Sequence, residues 1–509
     1  MTNLVVAPIV TLLATGVLGL VLRNHDVLQE RATTAGFLAY SAVTATLVER
    51  VLTGGVVAFQ VGDWAAPFGI TLVADALSVL MLCIVAVVGT VCVVYRTGAG
   101  EAEWSLLPLL SFMCAGASGA FLTGDLFNLF VWLEVTLMSS YVLIALRGNG
   151  DGAAATLRYL VVNLVGSSFI LVAIGGIYST MGTLNMADLS RRLAEPAAYN
   201  ASPGAALGFF GLLLCVFALK SGLAPFQFWV PEAYRAAPPA ASAVMSGVAK
   251  KVGIYAIVRV LVGVLGASSA TYRVLGASLT PVGMAGGVLA FMASLSIAVG
   301  GVGALSRRRL DGLLSYSSIG QVGFIALPIA VYALSGSDLL FLAGGLLYAV
   351  NHAIGKSMLF LISGLVEGST GGQRVDELSG LVSWDRGVSA AFFVGALSMI
   401  GVPPLAGFLG KLQAFRAVVS LPSLMAVGVG GAFLSILYFT RAWISVFWGE
   451  PVEAERPPVR AKAAVLFLAL LLVIGGLAAE PLVRFSELAA EAAINQEAYR
   501  DVVLGGGAS

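Results

Sequence analysis

Seven ionisable residues lie where the surrounding sequence is apolar: Glu134, Lys220, Lys250, Lys251, His352, Lys356 and Lys411. A lysine at the centre of a membrane-length apolar run costs roughly 2.5–3.5 kcal/mol on insertion scales, so such a residue marks a functional position. The most informative stretch runs from Leu212 to Ile257, LLLCVFALKSGLAPFQFWVPEAYRAAPPAASAVMSGVAKKVGIYAI. An apolar helix runs into Lys220, is interrupted around Pro225, and resumes past Pro238 and Pro239 into Lys250 and Lys251. A proline frees backbone carbonyls, which a membrane interior tolerates only where protein or a watered cavity re-satisfies them. A broken helix with an amine at mid-membrane has the form of an ion-transport site.

Each residue suggests its own part in proton transfer. Glu134, in NLFVWLEVTLMSSY, would neutralise itself by binding a proton if alone, whereas a nearby Lys220 would let both groups stay charged. A purely structural salt bridge is the plainer reading, weakened because desolvation offsets most of a buried pair's attraction. Lys250 and Lys251 are adjacent and point about 100° apart on a helix. One is expected to line the interior while the other snorkels or meets a second partner. His352 and Lys356, in NHAIGKSMLF, are four apart and share a helix face. Imidazole and amine one turn apart suit successive proton carriers. Lys411 follows Pro403 and Pro404 in SMIGVPPLAGFLGKLQAF and is expected to mirror Lys220. Together these residues form a horizontal series of titratable groups, as a proton relay requires. Arg259, Arg416 and Arg441, nearer helix ends, read as interfacial anchors. Asp75 and Asp125 begin helices and read as caps.

The elements that carry these residues are membrane helices. The chain has 509 residues, of which 59% are hydrophobic and only 11% charged. A soluble domain is nearer 25% charged, so repeated apolar runs imply about 14 transmembrane helices with only loops and a short tail outside them. Their centres fall in the runs 4–22, 33–52, 72–95, 104–122, 126–146, 157–181, 205–224, 241–265, 280–303, 311–333, 338–366, 388–417, 422–448 and 462–484. A hairpin is expected within 56–78 on one membrane face, and MADLSRRL at 186–193 reads as an amphipathic surface helix with Arg191 and Arg192 outward. The first run lacks a basic leader and a small-residue cleavage site and reads as a retained helix. Arginines cluster in alternate loops, at Arg23 and Arg31, Arg96, Arg147 and Arg158, Arg307 to Arg309, Arg374 and Arg386, and Arg456 and Arg460. By the positive-inside tendency both termini face outward.

Two proline-broken helices, the seventh and the twelfth, fall at the fourth position of two five-helix sets, which points to inverted repeats. The divisions are 1–103, three helices and the hairpin; 104–265 and 266–449, the repeats; and 450–509, the last helix and tail. A net charge of +1 leaves no footprint for nucleic acid. Cys83, Cys92, Cys114 and Cys215 sit in apolar runs without a C-x-x-C pair and read as small core residues. His25 and His352 are too few for a metal cluster. No iron–sulfur cysteine spacing or haem histidine pair appears, so neither a cofactor nor a metal is expected.

At these residues the sequence resembles the antiporter-like membrane subunits shared by Mrp-type multisubunit sodium/proton antiporters, respiratory complex I and membrane-bound hydrogenases. The resemblance spans nearly the whole chain. It rests on FVWLEVTLMSSY with Glu134, LKSGLAPFQFWVPEAYRAAPPAASA with Lys220, KVGIYA with Lys251, and GVPPLAGFLGK with Lys411. Within the family the length and the lysine at the twelfth-helix position look most like the D-type Mrp subunits. The larger relatives continue into long C-terminal extensions. The resemblance implies a fold of 14 helices with two inverted five-helix repeats, proton conduction along a lysine-rich axis, and partner subunits in a hetero-oligomeric complex that exchanges Na+ for protons across the cell membrane of a prokaryote. By the family pattern Lys251 is the eighth-helix lysine and Lys250 is extra, which leaves open which of them carries protons. The rival from the same fold is a proton-pumping subunit of a redox complex. A quinone-reacting subunit lacks a cofactor site, and a passive scaffold leaves the buried series unexplained.

Overall fold

The computed structural model describes residues 2–99, 103–146, 150–274 and 276–505. Arg147, one of the loop arginines used for orientation, lies outside them. Within them the chain is almost wholly helical: α1 (Ala7–Val21), α2 (Asp26–Gly54), α3 (Ala76–Ala99), α4 (Leu106–Leu122), α5 (Leu126–Ala145), α6 (Gly150–Met181), α7 (Met186–Ala194), α8 (Pro203–Ser221) and α9 (Trp229–Ala236) come first. The next helical segment is α10 (Pro239–Val244), a π turn over Met245–Ala249, α11 (Lys250–Ala256) and a second π stretch over Ile257–Val264. Then follow α12 (Pro281–Ser306), α13 (Leu310–Ser335), α14 (Leu339–Thr370), α15 (Leu381–Trp384), α16 (Arg386–Ile400), α17 (Ala406–Val418), α18 (Pro422–Ala442), α19 (Val459–Leu477), α20 (Ala479–Ile494) and α21 (Gln496–Leu504).

Ten of these helices are long and apolar enough to cross a membrane, and α1, α4 and α16 are shorter apolar ones. Such length is needed because backbone groups in lipid must all be satisfied within the segment. The apolar stretches of α13 and α14 are 89% buried, against 28% for α2 and α18, so α13 and α14 form the centre and the others the rim. The relay candidates His352 and Lys356 ride on α14, which passes through that centre.

The expected hairpin is present, with β1 (Val57–Gln60) antiparallel to β2 (Thr71–Ala74) and Val57 opposite Ala74. A second hairpin, β3 (Tyr272–Val274) with β4 (Ala277–Leu279), joins the π stretch to α12 and was not foreseen, since three residues a side give no readable alternation. The expected helix over 462–484 is two helices. Gly476 lies so close to the Pro404 carbonyl that a Cβ there would stand 1.9 Å from it, and Pro481 sits in the first turn of α20. The chain beyond is no loose tail. α20 packs on α14 and α3, α21 packs on α7, and Gln60 Nε2 donates to the Val503 carbonyl at 3.2 Å. In α7 the apolar face is buried as expected, while Arg191 and Arg192 both turn back to Asp188 on the same helix and stack near Tyr199.

Candidate functional site

The first break ends α8 one residue after Lys220. Gly222 takes a left-handed turn (φ 69°) that favours glycine, and Pro225 cannot continue a helix. The carbonyl of Leu219, at the helix end, accepts both from the Gly222 N–H and from the Trp229 indole at 3.0 Å, and the Ala224 N–H donates to the Ser296 hydroxyl at 2.8 Å. The Lys220 ammonium is buried and donates to Ser167 Oγ at 3.3 Å, and to Asn163 Oδ1 at 3.3 Å and its carbonyl at 3.4 Å. Ser167 in turn donates to the Glu134 carboxylate. Glu134 and Lys220 are therefore near each other, as expected, and are joined through one hydroxyl. Glu134 itself is half-buried on α5. A cavity of about 20 Å³ lies between Lys220 and Lys250, lined also by Tyr159, Asn163 and Met245, and has room for about one water.

At the centre, both Lys250 and Lys251 are fully buried. Neither snorkels. Lys251 Nζ lies 2.5 Å from His352 Nδ1 and donates to the Ser246 carbonyl at 2.8 Å. Lys250 Nζ lies 3.3 Å from Ser318 Oγ and 5.5 Å from the centre of the Tyr234 ring, and Ser318 Oγ is 3.4 Å from His352 Nε2. The two lysines thus address the two nitrogens of one imidazole. Long flexible stems span the angle between adjacent helix positions, and the π turn just before Lys250 is the kind of irregularity that recurs at functional sites.

Beyond His352 the line continues through groups that sequence reasoning missed. Lys356 Nζ donates to Ser317 Oγ at 2.7 Å and to the Leu314 carbonyl at 3.2 Å. Ser317 donates to the Tyr438 hydroxyl at 2.9 Å, Gln321 Nε2 donates to the same hydroxyl at 3.0 Å, and Tyr348 donates to Gln321. Tyr348, His352 and Lys356 recur every four residues on α14, and Ser317 and Gln321 do so on α13. That spacing was the available signal. Asn163 and Ser167 likewise stand four apart on α6.

The second break ends α16 at Ile400, with Gly401 in the left-handed region (φ 92°). Lys411 follows the break, on α17, and so does not mirror Lys220, which precedes its own. Its ammonium donates to the Ile400 carbonyl at 3.1 Å and lies 3.4 Å from Ser435 Oγ. It also stands over the Phe324 ring at 4.4 Å and near the Tyr348 ring at 5.9 Å, within cation–π range.

Two other expectations change. Arg259 is no interfacial anchor: it is 1% exposed and pairs with Asp75 at 2.6 Å, between the rings of Tyr255 and Tyr499. Burial of that guanidinium demands a carboxylate, and Asp75 supplies it while also capping α3 through the Ser78 N–H at 2.9 Å. Asp125 caps α5 through the Asn128 N–H at 2.8 Å, as expected. Cys92 and Cys114 are buried, but Cys83 and Cys215 are only half-buried.

The family described as NADH:quinone oxidoreductase/Mrp antiporter, transmembrane, matches residues 123–437, which contain every relay candidate. The chain is 33% identical over 516 residues to the D-type subunit of the Na(+)/H(+) antiporter of Alkalihalophilus pseudofirmus, covering 99% of this chain and 100% of that one. It is 35% identical over 433 residues to the N-type subunit of the NADH-quinone oxidoreductase of Desulforudis audaxviator, covering 82% of this chain and 81% of the other. Among solved structures, a chain of the Mrp complex from a Dietzia species superposes with a TM-score of 0.87 at 28% identity, over 99% of both chains.

Proposed function

Because this chain belongs to the NADH:quinone oxidoreductase/Mrp antiporter family of membrane proteins, we propose that it is the proton-translocating subunit of a multisubunit Na+/H+ antiporter. It works as a transporter subunit beside partner subunits in the cell membrane of a prokaryote, rather than as an enzyme. The observation that carries this reading is the 33% sequence identity to a D-type antiporter subunit over 99% of this chain and 100% of that one. The redox-pump reading keeps two specific supports: the slightly higher identity of the shorter match to the NADH-quinone oxidoreductase subunit, and superposition on a chain of a membrane-bound sulfane sulfur reductase, an archaeal respiratory membrane complex, with a TM-score of 0.89 at 27% identity over 99% of this chain. Neighbouring genes for small membrane subunits or for iron–sulfur subunits separate the two.

The relay runs from Glu134 through Ser167 to Lys220, across the one-water cavity to Lys250, and through Ser318 and His352 to Lys251, Lys356 and finally Lys411. With Glu134 ionised and joined to it through Ser167, Lys220 holds its proton. When the carboxylate is neutralised or drawn away, the buried ammonium loses its counter-charge and passes the proton towards Lys250. Both central lysines take part, Lys250 receiving and Lys251 drawing on the other imidazole nitrogen. Sodium coupling comes through the assembled complex. Ten long apolar helices, three shorter ones and the segment 239–264 make 14 crossings. They divide into a first part, 1–103, two inverted five-helix repeats, 104–265 and 266–449, and a last part, 450–509, with both termini outside. Two glycine-ended breaks at Gly222 and Gly401 support the repeats.

The test is sodium-driven proton movement in inverted vesicles carrying the complete complex, intact and with Glu134→Ala. Sodium should collapse the pH gradient in intact vesicles and leave it standing in the variant. No response in the intact vesicles would retire the antiporter reading in favour of a redox-driven pump.

A further inference from the structure

An open basin of about 900 Å³ lies between α9, the end of α12 and the start of α13, and no relay residue lines it. Its walls carry five guanidinium groups, on Arg235, Arg307, Arg308, Arg309 and Arg374, against two carboxylates, on Glu232 and Asp311. The lining is therefore strongly cationic. Arg309 is tied to Asp311 at 2.7 Å and Arg374 to Asp376 at 2.7 Å. Arg307 and Arg308 are exposed and form no ion pair among the described residues. Arg307 is held in place all the same: it donates to the Tyr316 hydroxyl at 2.9 Å and stacks on that ring at 4.3 Å. The backbone beneath is stitched to the neighbouring loop, Leu310 N–H to the Gln373 carbonyl at 2.9 Å and Val375 N–H to the Arg308 carbonyl at 2.8 Å. The Arg307 guanidinium is thus held in position before any ligand arrives, and the backbone that carries Arg308 is fixed beside it.

The depth of the basin names the ligand class. α12 ends at Ser306 and α13 begins at Leu310, and both are membrane-length, so the arginine loop lies where hydrocarbon gives way to headgroups. The apolar rim continues from Phe228, 73% exposed, and along the outer face of α12 through Val302 and Phe291, 61% and 65% exposed. Guanidinium groups bind phosphate oxygens in fixed, paired geometry, and basic pockets between helices at a membrane surface take up lipid headgroups.

We propose that this basin binds an anionic phospholipid, its phosphate on Arg307 and Arg308 and its acyl chains along Phe228 and α12. Gln227, Phe228 and Pro231 belong to the segment that follows the Lys220 break, so the bound lipid braces that segment against α13. That consequence for transport rests on the antiporter reading. The binding itself does not.

The experiment uses the complete complex in phosphatidylcholine vesicles with increasing phosphatidylglycerol, comparing the parent with Arg307→Gln, Arg308→Gln and the double variant. Lipid carried through purification is measured by mass spectrometry, and sodium-driven proton movement is followed in the same vesicles. The parent should retain phosphatidylglycerol, each lost arginine should weaken retention roughly fivefold, and Arg307→Lys with Arg308→Lys should restore much of it. In phosphatidylcholine alone parent and double variant should transport alike, with only the parent accelerating as phosphatidylglycerol is added. Equal retention by the double variant would overturn the site. So would displacement of the lipid by inorganic phosphate, since the basin would then hold a soluble anion. Absence of any sodium response would count against the antiporter reading while the retention measurement still judged the basin.

Discussion

The two broken helices hold their lysines in different company. At the first break Lys220 precedes the glycine, and the Leu219 carbonyl at the helix end is taken by the Gly222 N–H and a tryptophan indole, not by the lysine. The ammonium is left to a serine, an asparagine and, through the serine, a carboxylate. At the second break Lys411 follows the glycine and itself takes the freed Ile400 carbonyl, beneath an aromatic ring. A carbonyl dipole and a ring quadrupole are fixed, whereas a carboxylate can gain or lose a proton and so change what it offers a neighbouring cation. A helix break thus does not by itself make a control point. In the proposed relay the first is the control point, because its helix-end carbonyl is satisfied elsewhere and its lysine is joined through a serine to a carboxylate. In the same proposal the second is a receiving station.

The largest effect expected from this contrast is at Lys220. In Lys220→Met, sodium-driven proton movement in the assembled complex should fall by roughly a hundredfold or more, the scale on which a single positioned proton carrier matters. A variant that assembles and transports normally would remove the first break from the relay. Next is Ser167→Ala, which deletes the one hydroxyl linking carboxylate to ammonium. Hydrogen bonds to charged groups contribute about 1.5–3 kcal/mol, so a loss of roughly tenfold or more is expected. Ser167→Thr should keep most of the rate, because it restores the hydroxyl. If Ser167→Ala transports as the parent does, Glu134 and Lys220 communicate without it. A smaller effect belongs to Tyr348→Phe, which cuts the link between Gln321 and the Lys411 end while keeping the ring. One neutral hydrogen bond corresponds to about fivefold, measured as the proton-transfer rate at saturating sodium.

The sequence made the charged groups conspicuous and their go-betweens invisible. Glu134, Lys220, Lys250, Lys251, His352, Lys356 and Lys411 stand out because each is expensive in an apolar run. Ser167, Ser317, Ser318, Tyr348 and Tyr438 do not, because hydroxyls are common at helix–helix contacts and cost little there. The anchor reading of Arg259 fails because its partner, Asp75, is 184 positions away in the chain, and only tertiary packing brings them together. The proline-marked breaks were legible, as was the side on which each lysine falls, but not which group takes the helix-end carbonyl, since at the first break that depends on where the Trp229 indole falls. The C-terminal helices α20 and α21 were lost for a related reason: their moderate hydropathy reads as tail, and their burial comes from α14, α3 and α7.

The smallest effect is the sharpest check on the contrast. Ser435 is to Lys411 what Ser167 is to Lys220, a hydroxyl from a neighbouring helix near the ammonium. Its separation of 3.4 Å is at the outer limit for a hydrogen bond, and behind it stands only its own helix carbonyl, of Ala432 at 2.6 Å, with no carboxylate. Ser435→Ala leaves Lys411 with the Ile400 carbonyl and the Phe324 and Tyr348 rings, partners that do not change as protons pass. Transport should therefore change by about twofold or less, within the range of a weak neutral contact. Measured beside Ser167→Ala in the same vesicles, the two serines should differ clearly in cost. If Ser435→Ala proves as costly as Ser167→Ala, the second break is no fixed receiving station, and control of the relay must be shared between its two ends.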